Sequence, residues 1–560
     1  MSRRLLKIVV LSVLSGIVSL DAVTDEAPGF RSRTDRPQAV RPPRIPDDAT
    51  LEREGARVGQ IIIKVQDIFD TTRPEEDTRL FRLANRWHIN TRESTVLDRL
   101  LVCSGDLYRE SVVRESERLL RDTRYLYDAM ITPIRYADGI VDLEVVTRDV
   151  WTLNPGVSFG RKGGKSTSGI EFEELNFFGR GTQISVKQLN EVDRDIQSFR
   201  YIDNQIGSGW WSLELEHSDF SDGGAQRVLL EKPFYELDTR EAYGVFWFKD
   251  QRIDPRYNDG DLLGRYRRES ATKTLYVGRS AGLREGSVTR WTFGLSDESA
   301  SFRRAELYSP LFTIPADRRF VYPWAQFDWI EDDFRVLRNR DQIERNEDFQ
   351  YGWRIRGRLG RSLESWGSDR NAWLLAGELH KGYELDSKSS LFIAGGLGAR
   401  YEEDGLRNAK LSASARYYHR QSDHRLFFAS AEIESGGEKL DLDNEILLGG
   451  ENGLRGYPLR YRDGQGRWTV TLEQRGFTDW YPFRLVHVGA AAFVDVGGAW
   501  GNVDGQRSRH DILADTGVGL RLGNSRSALG NVLHIDLAFP LQGDRSIKSM
   551  QIIVETKKSF

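Results

Sequence analysis

The chain has 560 residues, with 84 acidic and 80 basic side chains and a formal net charge of −4, a balance that gives no reason to expect nucleic-acid binding. Its single cysteine, Cys103, excludes an intrachain disulfide framework. The low apolar fraction, 53 glycines and 11% aromatics fit either a soluble secreted protein or a barrel with a polar lumen.

Arg3, Arg4 and Lys7 precede an apolar run from Ile8 to Leu20, followed by Asp21 and Ala22. Residues 1–22 therefore read as a cleaved secretory signal peptide. No later run reaches the roughly 18 consecutive apolar residues of a membrane-spanning helix. Residues 23–56 carry Pro37, Pro42, Pro43 and Pro46 among polar and charged neighbours and read as a linker. Residues 57–150 form a small α+β domain. It runs as a strand over 58–69, helical material over 79–87, 94–102 and 110–120, then strands over 125–136 and 140–150 joined at Asp138-Gly139, a hairpin dipeptide. Cys103 is expected there as a buried thiol.

Residues 151–560 change character. Segments of about ten residues alternate in polarity and are separated by turn material at 176–181, 221–224, 258–261 and 404–405. Trp211, Leu213 and Leu215 oppose Ser212, Glu214 and Glu216. Tyr351, Trp353, Ile355 and Leu359 oppose Arg354, Arg356 and Arg358, and Leu533, Ile535, Leu537 and Phe539 oppose His534, Asp536 and Ala538. Period two suits a sandwich as well as a barrel. The export signal, and about 400 residues of strands with no helical covering layer, favour closure with lipid outside. The expected fold is mainly β, a transmembrane antiparallel β-barrel behind one α+β domain. Direct counting gives roughly twenty strand segments.

Three motifs carry little chemistry here. The segment 156–160 matches G-x-S-x-G around Ser158, but the glycines after it lead into another strand and not into a helix. Gly164-Lys165-Ser166 lacks the spacing and the helix of a phosphate loop, and the histidines show no metal-ligand spacing. No catalytic, metal or cofactor role is assigned to any residue.

A different constellation stands out after residue 445. Gly453-Leu454-Arg455-Gly456-Tyr457 places one arginine on a glycine-rich loop. Downstream, Thr469, Thr471, Glu473 and Arg475 share one strand face, and Phe493, Asp495 and Gly497 share another opposite Ala492, Val494 and Val496. If the apolar partners meet lipid, Glu473 and Asp495 project into the lumen, where a forked guanidinium could satisfy both. Arg455 is the natural candidate, with Gly453 and Gly456 letting its loop fold inward.

Leu454-Arg455-Gly456-Tyr457 resembles the lid-loop motif of the BamA/TamA superfamily of outer-membrane barrels, also called bacterial surface antigens. Phe493, Asp495 and Gly497 are similar to that family's partner motif, and Glu473 falls where its other acidic partner would be. The turns at 176–181 and 233–235 look like its early turns on the periplasmic side. Residues 57–150 resemble a POTRA domain, the family's periplasmic module. The resemblance implies sixteen strands and more than one such domain in most members, so this chain departs on both counts; the range left open is 16 to 20 strands. It also implies a bacterial outer-membrane protein with its N-terminal domain in the periplasm, involved in inserting or translocating a client, protein or lipid. Its expected partners are outer-membrane lipid, a periplasmic client or assembly partner at the POTRA-like domain, and a barrel assembly machinery reading the C-terminal strand.

The last strand, over 548–560, sets Phe560, Val554, Ile552 and Met550 on the lipid face. The first, over 152–161, must pair with it, and Val157 is expected to lie near Val554. Pro155 lacks a ladder donor, while Gly156 and Gly160 add no packing, so this seam should be weak. The alternatives are a structural or passive-pore barrel without a client and, distantly, a barrel-embedded lipid hydrolase using Ser158.

Overall fold

A short helix α1, Asp48–Arg53, lies ahead of the expected domain boundary and is capped by the Asp47 carboxylate, which accepts from the Thr50 N–H at 2.8 Å. The computed structural model describes residues 41–207, 209–503, 506–507, 511–524, 526–527, 532–543 and 547–557. The signal-peptide segment, the linker through residue 40 and Phe560 lie outside these residues. The helix α1 corrects the reading of residues up to 56 as linker. Leu51 is fully buried and joins the core of the following domain, a contribution that one leucine among charges does not advertise by periodicity.

That domain continues as β1 (Arg57–Gln66), α2 (Arg79–Trp87), α3 (Glu93–Leu97), α4 (Glu110–Arg121), β2 (Leu126–Ala137) and β3 (Ile140–Asp149). The sheet order is β1-β3-β2, with β1 parallel and β2 antiparallel to β3. Asp138 and Gly139 both take positive φ, 53° and 75°, the twist that a two-residue hairpin requires. Val58, Leu120, Leu126, Leu143 and Val145 form the core against α1 and α4. Cys103 is exposed in a turn closed by Asp106, not buried as expected.

Twenty strands, from Leu153–Lys162 to Gln551–Lys557, close into one barrel. Consecutive barrel strands pair antiparallel, so each short connection is a hairpin and inward and outward residues alternate. Leu375, Leu397, Leu411 and Ile433 are exposed on the outer face. Charged side chains such as Arg356 and Asp328 pair on the inner one. No described helix is long and apolar enough to span a membrane; the strands do so. One alternation fails: Tyr351 is not on the lipid face with Ile355 and Leu359, because the chain bends inward before the strand Arg354–Ser362 begins.

The closure is uneven. The last strand makes seven registered pairs with Val532–Pro540. Between the last strand and the first, the described residues make one, Val554 with Arg161, beside a 2.8 Å ion pair of Lys162 and Glu555. On the seam edge Val554 stands in register with Arg161, four residues along the first strand from Val157, which corrects the expected place of Val157 near Val554. Pro155, Gly156 and Gly160 all lie on the first strand, opposite Phe172, Glu171 and Thr167.

The domain docks on the barrel end where the first strand starts. Trp151 N–H donates to Arg526 O at 2.7 Å, and Arg526 pairs with buried Glu76 at 2.6 Å. The turn Asn176–Gly181 receives Thr91 and Arg92; Gly179 has φ 72°, and a β-carbon there would lie 2.4 Å from Asn90 O. The 233–240 turn meets α4, where the Leu237 N–H donates to Glu115 at 2.9 Å. Burial first, then the Glu115 carboxylate, push Glu236 up to about 7. A carboxyl raised above its unfolded value favours the docked state at low pH, and that contribution is lost as pH rises through about 7. Protection factors of the amides in 110–121, with the base-catalysed intrinsic rate divided out, should therefore be several-fold lower at pH 8.5 than at pH 5.5, a difference that Glu236→Gln should abolish. Equal protection factors at both values would refute this docking switch.

Candidate functional site

The 29 residues between the strands Arg425–Gly436 and Gly466–Phe477 form a lid across the barrel mouth. Two short strands, Ile446–Leu448 and Arg462–Gly464, pair at its base and hold the apex as a unit. Its flank is tied to the wall by Arg400 on Asp441, at 2.7 and 2.9 Å, and by Arg256 on Glu445 at 2.7 Å. The apex turns inward.

There Arg455 is buried and meets the wall through its whole guanidinium. Nε donates to Asp495 Oδ2 at 2.7 Å and Nη2 to Asp495 Oδ1 at 3.0 Å, a bidentate fork. Nη1 donates to Glu473 Oε2 at 3.0 Å and reaches Asp536 Oδ2 at 3.4 Å. The guanidinium carbon lies 3.3 Å from the centroid of the Phe493 ring. Thr471 Oγ1 donates to Asp495 at 2.8 Å, which fixes that carboxylate. The structure thus brings Arg455, Glu473, Phe493 and Asp495 together.

The small residues explain how the loop gets in. Gly453 has φ 98°, and a β-carbon at Gly456 would lie 2.6 Å from Asp515 Cβ. At Gly497 it would lie 3.3 Å from Leu454 Cδ2, so the glycine leaves room for the lid leucine. Leu454 and Tyr457 are fully buried with Leu448, Tyr461 and Leu513. The Tyr457 hydroxyl lies 2.9 Å from the carbonyl oxygens of both Ala514 and Gln542.

Sequence reasoning set Arg475 and Asp536 on polar strand faces without joining them to Arg455, and it did not name Arg521 or Asp515. Asp536 lies on Val532–Pro540 and binds Arg521 of Leu513–Asn524, while Arg475 donates to Glu473 at 3.0 Å. Asp515, fully buried, stands in register with Asp495. Strand parity would have put these residues inside the lumen. Only the lid sequence drew the eye to two of the acids.

A second missed element closes the opposite end. Between Arg318–Glu331 and Arg354–Ser362, the strands Phe334–Arg338 and Asn346–Gln350 form a hairpin. Its tip enters the lumen, where Ile343 packs with Tyr418, Leu426, Phe477 and Val532. Gly523 admits it, since a β-carbon there would lie 3.0 Å from Ile343 Cβ. Tyr418 donates to Asp341 at 2.8 Å, and Arg475 donates to Arg340 O at 2.6 Å. The hairpin's other side holds the N-terminal domain: Arg121 forks onto Asp348 at 2.9 and 2.8 Å, and Asn346 donates to Asp128 at 2.8 Å. A polar path therefore runs from Arg121 through the hairpin to Arg475, Glu473 and Arg455.

The lid also reaches the seam. A β-carbon at Gly163, in the turn after the first strand, would lie 2.3 Å from Leu459 N of the lid. The segment 156–160 is part of a strand, without the strand-to-helix turn that a nucleophilic Ser158 requires.

Residues 176–552 match the family model described as the Omp85 superfamily domain. Solved structures similar to this chain include BamA from Haemophilus ducreyi lacking POTRA domains 1-3, at 13% identity over 90% of this chain and 85% of that one, with a TM-score of 0.39. CdiB from Acinetobacter baumannii is 13% identical over 90% and 73% of the two chains, TM-score 0.42. CdiB from Escherichia coli is 12% identical over 90% and 77%, TM-score 0.45. No curated protein matches the chain.

Proposed function

The chain belongs to the Omp85 superfamily of outer-membrane β-barrels, and from that premise we propose that it inserts or translocates a client at the outer membrane by opening between its first and last strands. The observation that carries this reading is the seam: one registered pair there, against seven on the other side of the last strand. Parting a short ladder costs fewer hydrogen bonds than parting any long one. In this reading residues 57–150 are a POTRA-like periplasmic domain that receives the client, and Arg455 is the latch of the lid over the lumen. The contact of the lid with the turn after the first strand supports a coupling of latch and seam. The chemistry is holding and releasing, with no bond made or broken.

A passive pore is the weaker alternative, because the lid and the 334–350 hairpin occupy opposite ends of the lumen. The test is a disulfide across the seam, Arg161→Cys with Val554→Cys in a Cys103→Ser background. Locking it should abolish the change in outer-membrane protein or lipid content that separates a strain with this gene from one without it, and reduction should restore that change. Full activity of the locked barrel would sink lateral opening.

A further inference from the structure

The helix α2 carries a face that the core of its own domain does not use. On one side Phe81 stacks on Phe69 at 4.0 Å between centroids, and this pair packs against Trp151 and Leu485 of the barrel. On another, Leu80, Leu83 and Trp87, spaced three and four residues apart, are exposed, at 66%, 42% and 72%. The remaining surface bears Arg79, Arg82 and Arg86. Arg82 pairs with Asp77, whereas Arg79 and Arg86 have no ion-pair partner among the described residues. An exposed tryptophan and two leucines are a costly surface to leave in water.

The position of α2 says what covers it. On one flank, Glu75 just ahead of the helix lies 3.8 Å from Arg484, in the turn that also holds Leu485. On the other, the segment leaving the helix lies on the turn Asn176–Gly181, where Arg92 Nε donates to Phe178 O at 2.9 Å. Between these two turns the chain enters the barrel at Trp151, so α2 lies beneath the seam. Both turns present exposed aromatics, Trp480 and Phe483 on one and Phe177 and Phe178 on the other. The stripe on α2 therefore continues the apolar belt of the barrel across the gap between them.

We propose that α2 is an interfacial helix resting on the phospholipid leaflet beside the seam, with Leu80, Leu83 and Trp87 among the acyl chains and Arg79 and Arg86 at the lipid phosphates. Three features favour a lipid surface over a protein partner. The stripe lies between two turns whose exposed aromatics sit at the ends of lipid-facing strands, Arg79 and Arg86 beside it have no ion-pair partner among the described residues, and a helix with Trp and Leu on one face and Arg beside it has the pattern of interfacial helices. Rigid attachment through Phe81 lets a nine-residue helix bind where a free one would not. The proposal rests on the barrel spanning the membrane, and not on any client.

The test uses the full chain with Cys103→Ser, spin-labelled at Leu83→Cys and reconstituted in nanodiscs of phosphatidylethanolamine and phosphatidylglycerol. Accessibility to oxygen and to a water-soluble nickel chelate should match that of a label at Leu397→Cys on the barrel wall and differ from one at exposed Glu93→Cys. Brominated acyl chains should also quench the tryptophan fluorescence of the unlabelled protein more than that of Trp87→Phe. A Leu83 label as open to nickel as the Glu93 label, equal quenching in the two proteins, or dipolar broadening that reports a second copy of the chain would each overturn the assignment. A seam lock that ends client delivery while Leu83 stays in lipid, or the reverse, separates this inference from the proposed function.

Discussion

Replacing Arg455 with alanine will release the lid from the lumen wall. The substitution removes the cation that bridges Asp495, Glu473 and Asp536, and these buried carboxylates keep only Arg475 and Arg521 between them. Breaking a buried pair by removing one partner costs about 3–5 kcal/mol, because the remaining charge is left uncompensated. The cost falls on the lid and not on the barrel ladder, so heat-modifiability on semi-native gels should change little. Proteolysis within 449–461 should become faster by about two to four orders of magnitude, as expected when local opening loses that stabilisation. Arg455→Lys should recover only part of the protection, since an ammonium cannot make the fork onto Asp495 at 2.7 and 3.0 Å. A lid as protected in the alanine variant as in the native chain would remove the latch from the proposed function.

Excising the hairpin will open the opposite end of the lumen. Its ends already meet, with the Tyr351 N–H donating to Asp333 O at 2.7 Å, so a two-residue Asn-Gly link in place of 334–350 can close the chain. Ile343 leaves the cluster it shares with Tyr418, Leu426 and Phe477, and Asp341 leaves Tyr418. Barrels of sixteen strands and more hold a water-filled channel unless something plugs it, so conductance in planar bilayers should rise by about tenfold or more. Combining the excision with Arg455→Ala should raise it further than either change alone, because each clears one end. The same excision cuts the Arg121–Asp348 fork, and the N-terminal domain should exchange its α4 amides faster. Unchanged conductance would mean that the lid alone controls the pore.

The readable part of this fold was the part written in short periods. Alternation along strands such as Val532–Pro540 fixed which residues face lipid, and Asp138-Gly139 fixed a hairpin, because both signals act within a few residues. Alternation also placed Glu473 and Asp495 on the lumenal side, and the glycines around Arg455 marked a loop able to turn inward. It could not say which of the many inward charges meet. Asp536, Arg521 and Asp515 obey the same parity as dozens of lumenal residues, and only the curvature of the barrel sets them around one guanidinium.

The errors share that cause. Tyr351 continued the alternation of the strand after it, yet it turns into the lumen because a hairpin enters there, and no local pattern distinguishes a wall strand from a strand that plugs the wall. Leu51 lay in a charged, proline-rich stretch and is buried by a core assembled from residues up to position 145. Cys103 has the composition of a buried residue but sits on a turn. Alternation of polarity, turns and the chemical types available at the lid are local properties, and they are legible along the chain. Roughly twenty strands, a weak seam and Glu473 and Asp495 beside Arg455 were already expected from the chain; closure of exactly these strands into one ring, the single registered pair at the seam and the approach of Asp536 were decided by tertiary structure. Closure is a global condition, met only when all twenty strands and their registers agree.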